Sequence, residues 1–233
     1  MGRELKLALK PVVWEQLLPA ADNQSADLAI SSITKTSWRE KKFAIQFTDS
    51  YYCTSYALMY RAGTPEGRIL DMIKDRLVGV QRETTSANLV DSLAAGGLFK
   101  IEPFSNNESM QSALTASKIE FGVTDTAFAQ AAQLSTRLST GEDRIKFREF
   151  GPDDLPSTQV EQTQEYAIAV HKDEIELLGA INRTLAKAKQ DGELARLFKT
   201  AAEKYEAARS YRPGSRSLGE RPWECFAQTA RSN

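Results

Sequence analysis

Short apolar or alternating runs, separated by segments with helical spacing, organise the chain. Residues 4–13 (ELKLALKPVV) alternate with period 2 and predict a strand ending near Pro11. Residues 14–21 (WEQLLPAA) predict a turn and a short helix. Residues 27–30 (DLAI) are too few and too apolar for a surface helix, and predict a buried strand. Small hydroxyls follow at Ser31, Ser32, Thr34 and Thr36. Ser37 then stands three residues ahead of Glu40, the spacing of a capping box, which predicts a helix start. Further strands are predicted at 55–61 (SYALMYR), 77–81 (LVGVQ), 99–104 (FKIEPF), 121–126 (FGVTDT), 145–150 (IKFREF) and 165–171 (EYAIAVH). Helices are predicted from residue 86 to Ala95, over 108–117, and after Thr126. Near the end, Leu178, Ile181, Leu185 and Ala188 form one helical stripe, and Leu194, Leu197, Phe198 and Ala201 another, with Asp191-Gly192 between them. Core packing is the expectation for both stripes.

Strands alternating with helices call for an α/β architecture of parallel sheets flanked by helices. Two breaks interrupt the pattern, AGTPEG at 62–67 and a polar, proline-containing connector at 151–164. They predict two crossings between two lobes: 1–62 with 163–212 as lobe one, 63–162 as lobe two, and a mobile tail over 213–233.

Composition excludes more than it assigns. The 233 residues carry 30 Lys plus Arg against 31 Asp plus Glu, so no global field points to nucleic acid or an anionic membrane. No apolar run is long enough to span a bilayer, and MGRELKLALKPVVWEQ lacks the apolar stretch of a signal peptide. Two cysteines, Cys53 and Cys225, are too few for a disulfide framework, and two free thiols are expected. His171 has no partner at metal spacing and reads as a surface imidazole. No nucleophile–base pair, metal spacing or glycine-rich nucleotide loop is present, so neither a metal nor a cofactor is expected.

The candidate chemistry is anion binding. Arg39 falls in the first turn of the helix predicted after Thr36, the wrong end for a cation unless an anion sits between them. A second strand–hydroxyl–helix unit follows at Glu83-Thr84-Thr85-Ser86. Asp125 stands at the carboxyl end of a strand, where ligands gather in open α/β sheets. As a plain structural element it would be a helix N-cap, and the two roles are compatible.

Asp27, Ile30, Thr34, Thr36, Arg39, Lys41, Phe47, Asp49, Tyr51 and Tyr52 stand in order and at the spacing of a long family signature. On these residues the chain resembles the amino-acid-binding, type II periplasmic binding proteins (solute-binding protein family 3) of ABC importers. The resemblance runs to about Tyr211 and begins late, lacking the family's usual N-terminal strand and helix. It implies a two-lobed fold with lobe one truncated at its N-terminus, and no catalysis. It implies an amino acid or similar zwitterion held in the cleft by Ser32, Thr34 and Arg39 on one wall and Thr84, Thr85 and Asp125 on the other. Arg39 would take the carboxylate and Asp125 the α-amino group. Trp14 would stack on the ligand side chain, although a tryptophan at such a junction is as often a core or rim residue. Glu83 stands where the family has glycine, which puts the tightness of that turn in question. The resemblance further implies a periplasmic setting and a permease partner; without a leader, a cytoplasmic one stays open. A gap in lobe one would require the strand at 4–13 to pair with that at 27–33, or a second copy to complete the sheet. Two other functions remain: a degenerate or sensory module with weak or no ligand binding, and a dehydratase-like enzyme using Glu83 as acid or base.

Overall fold

The computed structural model describes residues 6–155 and 163–207. Its elements are α1 (Trp14–Asp22), β1 (Leu28–Ala29), α2 (Ser37–Lys42), β2 (Ile45–Phe47), β3 (Tyr52–Arg61), α3 (Ile69–Ile73), β4 (Leu77–Gln81) and α4 (Thr85–Ala94). There follow β5 (Lys100–Phe104), α5 (Asn107–Thr115), β6 (Phe121–Asp125), α6 (Thr126–Thr140), β7 (Ile145–Glu149), β8 (Thr163–Tyr166), β9 (Ala169–His171), α7 (Ile175–Gln190) and α8 (Glu193–Ala207).

Two sheets result. The larger runs β5-β4-β6-β3-β7. β4 pairs in parallel with β5 and β6, whereas β3 is antiparallel to β6 and β7, so the sheet is mixed rather than parallel. Pro103 lies in β5 at the sheet edge, where its missing N–H removes no ladder bond. Period-2 alternation sends Leu58 and Tyr60 to one face, against Ile69, Ile73, Leu89 and Val90. Ala57 and Met59 go to the other face, against Met110, Leu114 and Ala129. Gly79 and Gly122 let α5 approach that face: a Cβ on Gly79 would sit 2.5 Å from Ile119 Cδ1, and one on Gly122 3.1 Å from Met110 Sδ.

The smaller sheet runs β1-β9-β2, antiparallel throughout, over a core of Leu18, Ala21, Ile33, Ile45 and Phe47. Several expectations are corrected here. Residues 6–13 form no strand, and Leu7 and Leu9 are exposed at 82% and 84%. β1 is two residues long and pairs with β9 instead of residues 4–13. Its flanking Ile30 is exposed, because no described strand lies on β1's outer side to bury it. The stripe on α7 is only partly buried, and no α7 residue reaches the core. A three-residue strand, β2, carried no sequence signal.

β3 and β8 connect the two sheets. β3 pairs with β8 over Tyr52–Ser55 and with β6 and β7 over Tyr56–Arg61, so one strand belongs to both regions. The 165–171 run divides, β8 continuing this ribbon and β9 entering the smaller sheet. Tyr52 and Tyr166 stack across the ribbon at 5.7 Å. Cys53, also on the ribbon, is disulfide-bonded, which corrects the free-thiol expectation. Spacing along a sequence carries no information on which cysteines meet in space; Cys225 lies outside the described residues, as do residues 213–233.

Candidate functional site

Between the two sheets lies a cavity of about 730 Å³, within the size range of small-molecule sites. All seven residues singled out from the sequence line it: Trp14, Ser32, Thr34, Arg39, Thr84, Thr85 and Asp125. The helix starts of α1, α4, α5 and α6 converge here, those of α4, α5 and α6 directly after β4, β5 and β6. Their free amide N–H groups give the cavity partial positive charge.

Arg39 is 1% exposed. The capping box expected at Ser37 does not form: Thr36 is the N-cap of α2, and the Glu40 carboxylate accepts from the Phe47 N–H at 3.3 Å. α2 has only six residues, so its start is no anion cradle, and the guanidinium itself carries the charge. Trp14 and Trp38 hold that guanidinium from two sides, with ring centroids 5.7 and 5.1 Å from Cζ. One terminal nitrogen donates to the Thr34 carbonyl at 2.6 Å and the other to the Glu83 carbonyl at 3.3 Å. Nε is buried without a partner, and no carboxylate pairs with the group among the described residues. Burial pulls its pKa from 12.5 down to about 10. Arginine stays charged at neutral pH, so this is a buried cation stabilised only by neutral dipoles and ring faces.

The Glu83 carbonyl also accepts from Trp14 Nε1 at 3.3 Å, tying the two sides of the cavity together. The backbone there is left-handed, at φ 58°, as it is at Ser32, φ 52°. Non-glycine residues in this region are strained. The departure from glycine at position 83 is thus accommodated by strain rather than by a wider turn. The Glu83 side chain lies outside the cavity lining and is exposed.

Gln164 joins the two walls. Its Oε1 accepts from Thr34 Oγ1 at 2.9 Å and from Thr85 Oγ1 at 2.6 Å, while its Nε2 is buried without a partner. Thr84 caps α4, accepting from the Ala87 N–H at 3.1 Å. Asp125 caps α6, accepting from the Phe128 N–H at 2.8 Å, and also receives the Tyr166 hydroxyl. Burial raises its pKa in spite of these donors. Gln164 and Tyr166 sat in a segment read as connector and strand, and Trp38 in a helix start. Neither their spacing nor their residue type marked them. Glu15 and Glu108 also line the cavity. No group of three metal-ligating side chains occurs among the described residues, and no described helix is long and apolar enough to cross a membrane.

The model of the bacterial extracellular solute-binding proteins, family 3, matches residues 1–203. A probable histidine-binding protein of Neisseria gonorrhoeae is 25% identical over 193 residues, 83% of this chain and 67% of that protein. The ABC transporter glutamine-binding protein of Bacillus subtilis (strain 168) is 24% identical over 202 residues, 85% of this chain and 66% of that protein. Among solved structures, an ancestral arginine-binding protein bound to arginine superposes with a TM-score of 0.69 at 26% identity, covering 84% of this chain and 80% of that one.

Asp125 has separable structural and charge roles. Asparagine caps helices as well as aspartate does, so Asp125→Asn is expected to keep stability within about 1 kcal/mol, and Asp125→Ala to lose about that much. Because the folded pKa lies above the ordinary 3.8, the folded state holds the proton longer. Wild-type stability therefore falls as pH rises from about 3.8 through the raised value, and Asp125→Asn removes that slope. Urea melts across this range check both outcomes.

The chain belongs to the bacterial extracellular solute-binding proteins, family 3.

Proposed function

We propose that this chain captures an amino acid or similar zwitterion between two lobes, as the receptor of an ABC-type importer outside the cytoplasmic membrane. The observation that carries the reading is the buried Arg39 guanidinium, which lines a cavity and lacks an anion. A ligand carboxylate there would supply the missing counter-charge and a charge-assisted bond to Nε. The α-ammonium would then meet Asp125, whose ionised form gains from a nearby cation what burial takes away. Ser32, Thr34, Thr84 and Thr85 would complete the polar walls, and Trp14 a face for the side chain. The relatives agree on an amino acid and differ on which one.

The lobes are assigned on the same footing. We place their crossings in the β3–β8 ribbon, which puts residues 6–55 and 163–207 in lobe one, shorter at its first crossing than the expected 1–62, and the described residues between them in lobe two. Gln164, Thr34 and Thr85 are already hydrogen-bonded to one another, so opening about this ribbon would have to break those bonds. The Glu83 carboxylate lies outside the cavity's described lining, which leaves the dehydratase-like reading without its proposed acid or base there. One feature favours weak affinity: Arg39 and Trp14 already donate to the Glu83 carbonyl, and a ligand would have to compete for them.

Exposed Leu7 and Leu9, and exposed Ile30 next to the edge strand β1, support completion of lobe one by a second copy. Light scattering should then give a dimer; a monomer at micromolar concentration excludes it. For the ligand, thermal-shift and calorimetric titration with the common amino acids should find a saturable response. Arg39→Ala is expected to weaken it at least about 100-fold, as truncation of one partner of a buried charge pair does. Asp125→Asn, which preserves the cap, should weaken it about tenfold or more. Unaltered affinity in both variants contradicts the proposal.

A further inference from the structure

Two groups of hydrogen bonds join the lobes assigned above. Beside the ribbon, Thr54 Oγ1 and Thr126 Oγ1 share a bond of 2.7 Å, and the Tyr166 hydroxyl reaches Asp125. Tyr56 pairs with Asp125 in the larger sheet, so this first group sits at the pivot itself. The second group holds the turn that starts α4. β6 separates β4 from β3, so that turn stands one strand farther from the pivot and swings when the lobes part. Four side chains grip it: Trp14 and Arg39 donate to the Glu83 carbonyl, while Thr85 Oγ1 meets Gln164 Oε1 at 2.6 Å and Thr34 Oγ1 at 3.4 Å. Gln164, Thr34 and Thr85 are all buried, and a buried hydroxyl needs a partner wherever it stands. That need does not explain the choice of partner. Gln164 Oε1 receives one hydroxyl from each lobe, while Nε2 of the same amide is buried with no acceptor. An amide present only to satisfy its surroundings would not strand its own donor. This one is placed by what its oxygen joins.

Resting on the two-lobed binding reading above, we propose that Gln164 is a positioning residue: a latch that holds the lobes closed through Thr34 and Thr85, so that part of the closure is built into the chain. Every group of this latch belongs to the protein. A ligand carboxylate that draws Arg39 from the Glu83 carbonyl leaves the Gln164 bonds standing, and the latch acts on both sides of that exchange. It raises the affinity for any ligand that binds the closed form, by the factor by which it enriches that form. It does not discriminate among ligands, because its oxygen is already taken by two hydroxyls. It also slows exchange, since a ligand enters after Thr85 has left Gln164.

Paired dyes at exposed Lys41 on α2 and exposed Ser109 on α5 report the distance between the lobes. Attaching them through unnatural amino acids leaves the Cys53 disulfide alone. With no amino acid added, Gln164→Met, which keeps the side-chain length and removes the acceptor, should lengthen that distance relative to the wild type. The tightest-binding of the common amino acids should restore it. Gln164→Glu keeps an oxygen at the same reach and should return the ligand-free chain to the wild-type distance, which a mere packing role would not do. Thr85→Val breaks the same bond from lobe two and should open the chain as Gln164→Met does; it decides the matter if Gln164→Met does not fold. In calorimetry Gln164→Met should weaken every amino acid that binds by one common factor of about three to ten, the effect of one or two hydrogen bonds. Ligand-free distances that match the wild type in both opening variants, or a loss of affinity that falls on some amino acids and spares others, overturn the inference. Absence of binding by every amino acid overturns the amino-acid reading alone, because the ligand-free distances still decide the latch.

Discussion

A guanidinium buried without an anion is the constraint on which the site depends. Moving such a group out of water costs several kcal/mol even after relaxation. Here the cost is offset by two indole faces and two backbone carbonyls. Trp14, Trp38, Thr34 and Glu83 are all fixed in place by this one side chain. Among the described residues Nε has no acceptor, and no carboxylate offsets the burial that lowers the pKa. A charge held in this state has a strong preference for an anion that arrives with the cavity's contents. A protein that merely needed Arg39 for packing would gain more from a hydrophobic residue of similar volume.

The fold explains why the other groups stand around it. Three of the four helix starts, those of α4, α5 and α6, reach the cavity because β4, β5 and β6 before them end on the side where the two sheets face each other. The ribbon of β3 and β8 joins the sheets and carries Gln164 and Tyr166, which touch both walls. Charge is then distributed by the capping residues. α4 has the neutral Thr84 beside Arg39, and α6 has the acidic Asp125. The cavity is thus dipolar before anything enters it. The cost is strain at Ser32 and Glu83, both left-handed and both in the turns that bring the walls close.

The larger sheet was readable from the chain because its strands are bounded by turn residues and alternate cleanly, as Ala57 to Tyr60 do between two faces. Its mixed direction was not, since alternation says nothing about pairing sense, and β3 reverses against β6. All seven proposed ligand residues came from local patterns, and they line one cavity because the connections and helix starts that carry them converge between the two sheets. Gln164 and Tyr166 escaped notice because their importance is positional: a glutamine in a polar connector has no spacing to mark it. Residues 6–13 misled for the opposite reason. Their alternation suits a strand, but a strand needs a neighbour, and β1 gives its only described pairing to β9. The disulfide at Cys53 likewise depends on a spatial meeting that sequence distance hides.

The central claim is that the buried cation waits for a carboxylate. Its most direct test is to titrate the wild-type protein with its tightest-binding amino acid and, in parallel, with the amine left when that amino acid loses its carboxylate. The account predicts that the amine binds at least about 100-fold more weakly, or not at all, while Arg39→Ala treats the two alike. An amine bound as tightly as the amino acid itself would contradict it.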